Sequence, residues 1–431
     1  SFDLGIALSY LVASKQIDFD PVGVMFLGEL SLSGEVQKVR GVLPIALAAR
    51  QLGVHTLFVP RENAAEAALA PEITVFGVGS LLELIEHINT LNKEVIRTSI
   101  LAQEKSILGQ KDLGHVTDLS EIKGQETAKR ALLIAASGGH NIALYGPPGT
   151  GKTMLARALQ GILPELSEDD TFEVASIHSV AGMLGSDITN TPPFRSPHHT
   201  SSHVAVVGGG SSPRPGEITL AHRGVLFLDE FPEFDKRVLE SLREPLEEGH
   251  ISISRAKGRA TFPAEFILVA ALNPCPCGNS GNTHKRCVCS ASDIERYKRK
   301  LSGPIMDRID MWVEVVHVPY EDLQSKDSGQ KMTPLTKEKV AMARSAQKKR
   351  QSDKSSIKSL NSRLSSKDIA DYITLSKETT EILTAASTKL ELSPRSYFKV
   401  IKLARTIADL EGSVSVETPH ILEALQYRPK I

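Results

Sequence analysis

Residues 146–153 read Gly146-Pro147-Pro148-Gly149-Thr150-Gly151-Lys152-Thr153. They stand between an apolar run, Asn141-Ile142-Ala143-Leu144-Tyr145, and a helical pattern, Met154-Leu155-Ala156-Arg157-Ala158-Leu159. This is a complete phosphate-binding loop in the strand–loop–helix setting it requires, and it constrains the fold to an α/β layer. The glycines let backbone N–H groups turn inward around an anion, and the helix that follows brings its partial positive end to the same place. In such a loop Lys152 reaches the β- and γ-phosphates and Thr153 holds Mg²⁺. The plain alternative is a Gly/Pro-rich turn, which would not require all eight positions in this context.

Two further apolar runs end in polar groups suited to the same chemistry. Val225-Leu226-Phe227-Leu228 leads into Asp229-Glu230. Asp229 would anchor Mg²⁺ through water, and Glu230 would polarise the attacking water as general base. A strand ending in a solvated acidic turn looks the same in isolation. The position about 75 residues beyond the phosphate loop selects the catalytic reading. Phe266 to Leu272 ends in Asn273-Pro274. An Asn at the C-terminal edge of a parallel sheet, where α/β sheets bind ligands, can hydrogen-bond the water or the γ-phosphate. A turn Asn before proline is the rival explanation.

The chain has 431 residues, which at roughly 150 per domain allows two to four domains. Hydrophobic residues at 41% and charged residues at 23% exclude a wholly disordered chain and a collagen-like fibre. No apolar run reaches the roughly 20 residues that span a bilayer. Lys and Arg number 50 against 51 Asp and Glu, a net charge of -1, so any nucleic acid must meet locally concentrated positive charge. The four cysteines all lie between Cys275 and Cys289, unlike a secreted disulfide framework. The chain opens at Ser1 in apolar sequence, without Met, basic leader or cleavage-site pattern. We expect a cytoplasmic protein whose N-terminal part is incomplete.

Three regions follow. Residues 1–95 alternate short apolar runs with Gly and Pro. A strand is expected over Pro21–Leu30, a helix over Val42–Gln51, a strand over Thr56–Val59 and a helix over Leu81–Leu91, an α/β or α+β domain. Residues 96–119 are expected to be a linker, and 120–320 carry most of the chemistry. Residues 321–431 begin with a polar, linker-like stretch to about Lys367. It includes Lys348-Lys349-Arg350, a run most simply read as a solvated helix face. Helical spacing from Ser366 onward predicts three or four helices.

Gly303-Pro304-Ile305-Met306-Asp307-Arg308-Ile309-Asp310 and, later, Ser393-Pro394-Arg395-Ser396-Tyr397 complete an order of motifs that resembles an AAA+ ATPase. The resemblance implies a parallel sheet sandwiched by helices with a C-terminal helical lid. It makes Arg308 the finger that reaches a neighbouring subunit's γ-phosphate, and Arg395 a nucleotide-sensing arginine. The plain alternative for each is a surface salt bridge. Between the phosphate loop and the acidic strand, Phe194-Arg195-Ser196-Pro197-His198-His199-Thr200 leads to Pro213-Arg214-Pro215-Gly216-Glu217 and resembles the insertion of the magnesium-chelatase-like branch. Leu242 to Gly249 followed by Ile251 to Arg255 resembles that branch's helix and hairpin. Over nearly its whole length the chain is similar to the ComM/YifB family, whose members are linked to DNA branch migration during natural transformation. Residues 1–95 resemble a Lon-protease-type α+β domain. The lysine of a Ser/Lys dyad would fall, by the alignment of Arg40-Gly41-Val42-Leu43, at Leu43. An alkyl group takes no proton, so no peptidase activity is expected and a role in assembly or partner binding is.

Cys275-Pro276-Cys277 and Cys287-Val288-Cys289 suit structural Zn²⁺, although C-x-C is tighter than the commoner C-x-x-C. Free thiols, or disulfides formed on oxidation, are the alternatives, and His284 offers a substitute ligand. If the chain forms a ring that moves along DNA, basic loops should face its channel. Arg255, Lys257 and Arg259 on the hairpin, and Arg195, His198, His199 and Arg214 in the insertion, are the candidates. A solvated hairpin tip and an insertion packed between subunits are the alternatives. The expected function is thus a homo-hexameric, ATP- and Mg²⁺-dependent motor on single-stranded or branched DNA. A chelatase-type motor remodelling a partner subunit, and a Lon-like protein unfoldase, are the rival readings.

Overall fold

A computed structural model describes residues 2–90, 100–105, 117–184, 189–210, 213–255, 258–280, 285–319, 321, 331–351 and 360–429. They form two units. One comprises Ser1–Asp112 with Leu166–Thr191, the other Leu113–Glu165 with Pro192–Ile431.

The first unit is built on three parallel strands, Val24–Phe26, Thr56–Pro60 and Thr74–Val78, with Thr56–Pro60 in the middle. Phe26, Phe58 and Phe76 are cross-strand neighbours and stack in a row at 5.2 and 5.0 Å. The helix expected over Val42–Gln51 has those ends. The strand expected over Pro21–Leu30 is instead broken. Only Val24–Phe26 joins the sheet, and Glu29–Leu30 pairs with Val36–Gln37 in a separate ladder. Gly28 sits at the break, where an added Cβ would come within 2.6 Å of Val36. Helix Leu81–Ile88 starts at Ser80, whose hydroxyl accepts the Glu83 N–H. Its expected last residue, Leu91, lies outside the described residues. Leu43 is fully buried and its N–H donates to Glu66 Oε1 at 3.2 Å.

The second unit holds a five-stranded sheet. From one edge its strands are Met311–Glu314, Ile142–Tyr145, Ile267–Leu272, Val225–Leu228 and Phe194–Arg195, all parallel. The α/β fold class expected from the sequence is thus found. Alternate residues serve opposite faces. Ile142, Leu144, Phe227, Val269 and Val313 join one apolar cluster with the helices Glu126–Gly138, Lys152–Ile162 and Pro394–Leu410. Ala143, Leu226, Leu228, Leu268 and Trp312 pack with Val206, Phe231 and Val238 on the other face. Because Ile267–Leu272 lies between the phosphate-loop strand and the acidic strand, Asn273 emerges between Lys152 and Asp229.

Four helices follow residue 365, as the spacing predicts: Ser366–Tyr372, Lys377–Lys389, Pro394–Leu410 and Thr418–Gln426. The linker-like reading of the preceding stretch needs correction, because Thr333–Gln351 is a 19-residue helix. Its buried face is Val340, Ala343, Gln347 and Gln351. Gln347 earns its place in the core by donating to Ser137 O at 3.0 Å and accepting the Asn361 N–H at 2.9 Å. Arg350 likewise leaves the solvated face assigned to the basic run. It pairs with the buried Asp409, which also takes Arg405 at 2.9 Å and Asn361 at 2.8 Å.

Candidate functional site

The phosphate loop is held open by its own backbone. Gly149 and Gly151 have φ of 78° and 91°, in the left-handed region that favours glycine. Gly146 is required for a different reason, since a Cβ there would lie 2.1 Å from the Val315 carbonyl oxygen. The Thr150 hydroxyl donates to Pro147 O at 2.9 Å across the turn. Lys152 opens helix Lys152–Ile162, whose first N–H groups lack intrahelical partners. Its Nζ donates to Gly146 O at 2.7 Å, Pro147 O at 2.8 Å and Asn273 Oδ1 at 3.2 Å. Burial pushes the Lys152 pKa down, against the opposing pull of Asp229.

The acidic strand delivers its carboxylates beside this loop. Thr153 Oγ1 lies 3.4 Å from Asp229 Oδ2. A hydroxyl and a carboxylate this close are hard oxygen donors of the kind Mg²⁺ takes. The other Asp229 oxygen accepts the Glu230 N–H at 2.9 Å. Glu230 has φ of 50°, a left-handed conformation that costs a non-glycine residue on the order of 1–2 kcal/mol. Its Oε2 lies 3.0 Å from Nδ1 of His199. His199 follows the edge strand Phe194–Arg195, whose pairing with Val225 and Leu226 brings the insertion alongside the acidic strand. The His198 and His199 rings are 4.3 Å apart. Sequence reasoning missed the His199–Glu230 pair, and only the strand pairing could have revealed it.

The two arginines gather elsewhere. Arg308 donates to Pro304 O at 2.6 Å and pairs with Glu247 Oε2 at 2.8 Å, while Arg395 pairs with Glu247 Oε1. Burial raises the Glu247 pKa, but the two guanidiniums outweigh it and hold the carboxyl below its usual range. Arg308, Arg363, Arg395, Lys399 and Lys402 line a cavity of about 650 Å³ in which Glu247 and Asp310 supply the negative charge. No phosphate-loop residue lines it. Asp310 fixes the arginine-bearing segment. It accepts the Asn141 N–H at 2.9 Å and pairs with Lys399 at 2.8 Å.

The basic candidates for nucleic acid are dispersed. The hairpin pairs His250–Arg255 with Gly258–Pro263, and Arg259 on it is exposed. Lys257 and the Arg255 side chain lie outside the described residues. In the insertion, Arg214 is exposed, whereas Arg195 is gripped bidentately by Glu217 at 2.6 and 2.7 Å. His198 pairs with the Thr200 hydroxyl at 2.8 Å.

The four cysteines converge just after Asn273. Their sulfurs all lie within 4.8 Å of one another, with Cys275–Cys277 at 3.5 Å, Cys275–Cys287 at 3.7 Å and Cys277–Cys287 at 3.6 Å. His284 lies outside the described residues.

Residues 118–323 match the family described as magnesium chelatase, subunit ChlI, and 331–428 match the ChlI C-terminal family. Residues 1–63 match a third, described as subunit ChlI of Mg-chelatase. The chain is 42% identical to the competence protein ComM of Haemophilus influenzae over 432 residues, all of this chain and 82% of ComM. It is 39% identical to YifB of Escherichia coli over 99% of this chain and 81% of YifB. The magnesium-chelatase 38 kDa subunit of Rhodobacter capsulatus is 30% identical over 177 residues, 37% of this chain and 51% of that subunit. Among the described residues no helix is long and apolar enough to cross a membrane.

Proposed function

The chain belongs to the ComM/YifB family of magnesium-chelatase-like AAA+ ATPases, and from that premise we propose that it is a ring-forming, ATP-hydrolysing motor that acts on DNA. The observation that supports this most directly is the separation within one chain of two halves of a hydrolytic site. Lys152, Thr153, Asp229, Glu230 and Asn273 share the sheet's C-terminal edge, while Arg308 and Arg395 share Glu247 in another cavity. A second copy brings the halves together if its arginine cavity faces the first copy's phosphate loop.

Mg²⁺–ATP supplies the phosphoanhydride and a cation that neutralises its oxygens, and Thr153 and Asp229 are the residues that would hold the metal. Lys152 then exchanges neutral acceptors for charged phosphate oxygens, a stronger class of hydrogen bond. Asn273 Oδ1, freed of Lys152, accepts from the attacking water. Glu230, once parted from His199, would take a proton from that water as its oxygen bonds to the γ-phosphorus and the bond to the β–γ bridging oxygen breaks, leaving ADP. Arg308 and Arg395 of the neighbouring copy leave Glu247 for the γ-phosphoryl oxygens, where charge builds in the transition state. Hexameric closure is the arrangement this reading expects.

DNA would be held by backbone electrostatics, since the net charge of -1 leaves no global attraction. Arg255, Lys257 and Arg259 on the hairpin and Arg214 in the insertion would face the channel. Arg195 would orient the insertion through Glu217. By its likeness to ComM, named a competence protein, the chain is read as a branch-migration motor in recombination during natural transformation. Its setting would be the cytoplasm. The proposed division is 1–95 for assembly or partner binding, 96–119 as linker, 120–320 as ATPase core and 321–431 as the C-terminal helical part. With Leu43 where a base is needed, the N-terminal part has no peptidase activity in this reading. The four cysteines are read as a structural Zn²⁺ site.

The test is displacement of a strand from a three-way DNA junction with ATP and Mg²⁺, which a Glu230→Gln variant should not perform. The magnesium-chelatase likeness favours a second reading, a motor that remodels a partner subunit. In that case DNA would not alter the ATPase rate.

A further inference from the structure

We propose that Cys275, Cys277, Cys287 and Cys289 bind one Zn²⁺, and that the closed knuckle braces the phosphate loop so that metal occupancy sets nucleotide affinity. The second half rests on the reading of Lys152 and Asn273 as nucleotide-binding residues, and the first half does not.

The spacing of the sulfurs fits a tetrahedral thiolate site. A metal about 2.3 Å from each of four sulfurs puts those sulfurs about 3.8 Å apart. Three of the distances are 3.5, 3.7 and 3.6 Å. All are far beyond the roughly 2.05 Å of a disulfide. Four sulfur donors select a soft, tetrahedral cation and fill its coordination shell, which fits a structural rather than a catalytic metal. The backbone already serves the sulfurs as it does around bound metals. Cys277 N–H donates to Cys289 Sγ at 3.4 Å, and Ser280 N–H donates to Cys275 Sγ at 3.2 Å. Gly278, with φ of 78°, turns the chain back by donating to Cys275 O at 2.9 Å.

The same turn touches the nucleotide site. A Cβ built on Gly278 would meet Pro148 Cδ at 2.6 Å and Asn273 Cγ at 3.9 Å. The knuckle backbone at Gly278 therefore lies close to both Pro148 of the phosphate loop and Asn273, the partner of Lys152. Asn273 is joined to the first ligand through Pro274 alone. A metal that closes the chain between Cys275 and Cys287 removes conformational freedom from this segment. Without it, the turn at Gly278 is held less firmly against Pro148, and the loop must be ordered by the nucleotide itself, at a cost in affinity.

The test uses the whole chain. Elemental analysis of the purified protein should find one zinc per chain. Cobalt substitution should give the visible bands and sulfur-to-metal charge-transfer absorption of a tetrahedral thiolate site. Zinc is then released with a mercurial and counted with a chromogenic chelator, and the thiols are regenerated. Titration with a fluorescent ATP analogue should show affinity weakened about tenfold, restored by added Zn²⁺. Cys277→Ser should lose zinc and bind nucleotide as the stripped protein does. If that variant does not fold, the cobalt spectrum and the strip-and-refill cycle on the native chain decide the matter. Four freely titrating thiols without metal, disulfides, or iron in place of zinc would overturn the metal assignment. Zinc release that leaves nucleotide affinity unchanged would overturn the bracing. Nucleotide bound by neither form would overturn the ATPase reading and the bracing with it, while the zinc count would still decide the first half.

Discussion

His199 Nδ1 stands 3.0 Å from Glu230 Oε2, so the insertion places a side chain directly on the carboxylate read as the general base. A base held in a hydrogen bond is less available to water, and Glu230 already sits in a strained left-handed conformation. On the proposed reading of the chain as a DNA-stimulated ATPase, this contact should restrain hydrolysis until His199 is drawn away from Glu230. His199→Ala should raise the ATPase rate without DNA several-fold and reduce the further stimulation by a DNA junction. Steady-state rates with and without DNA check this, and an unchanged pair of rates would argue against the restraint.

Glu230→Gln keeps the shape of the side chain and removes its ability to take a proton. Turnover should fall by about 10² to 10⁴, the range lost with a general base, while nucleotide binding persists. Lys152→Ala should behave in the opposite way and lose binding itself, because it removes the ammonium group that would leave Gly146 O, Pro147 O and Asn273 for the phosphate oxygens. Equilibrium binding measured beside single-turnover hydrolysis separates the two.

Glu247 is the counter-charge for Arg308 and Arg395 together. Glu247→Ala leaves two guanidiniums side by side. Glu247 and Arg395 are partly exposed, at 36% and 47%, so solvent screens much of the effect. A loss of about 1 kcal/mol, or a melting midpoint roughly 2–4 °C lower, is expected. Raising the salt concentration should shrink the difference from the native chain.

Acid should weaken the fold through Asp310 and Asp118. Burial raises the Asp310 pKa, but Lys399 and His140 outweigh it and hold the carboxyl below the usual range. For Asp118, hydrogen bonds from Ser120, Thr333 and Met332 likewise overcome burial and bring it down to about 2. Both groups bind protons more weakly folded than unfolded. Their contribution is complete above an unfolded Asp pKa of about 3.9 and is lost as the pH falls towards about 2 and below. Melting midpoints should hold steady from about pH 7 to 5 and drop below about 4. Asp310→Asn should be less stable at neutral pH and show a flatter acid limb.

What could be read from the residues was local. The phosphate loop carries its mechanism in eight consecutive positions. The strands before Asp229 and Asn273 announce themselves as apolar runs with polar ends. Their adjacency could not be read directly, because parallel strands pair across long connections and the order depends on the whole unit. The pairs His199–Glu230 and Glu247–Arg308 are products of that order and leave no trace in spacing. The helix Thr333–Gln351 was hidden for another reason. Gln347 and Arg350 are polar by type, yet their groups are satisfied inside the fold, so hydropathy reads as linker what packing makes core.

In the proposed ring, Arg308 of one copy completes another copy's site. The most direct measurement mixes native chains with Arg308→Ala chains at constant total concentration and follows ATPase rate against the native fraction. The curve should fall well below a straight line, because each altered subunit silences a neighbour. A strictly proportional line, with full activity retained at concentrations where the chain is monomeric, would contradict the shared site.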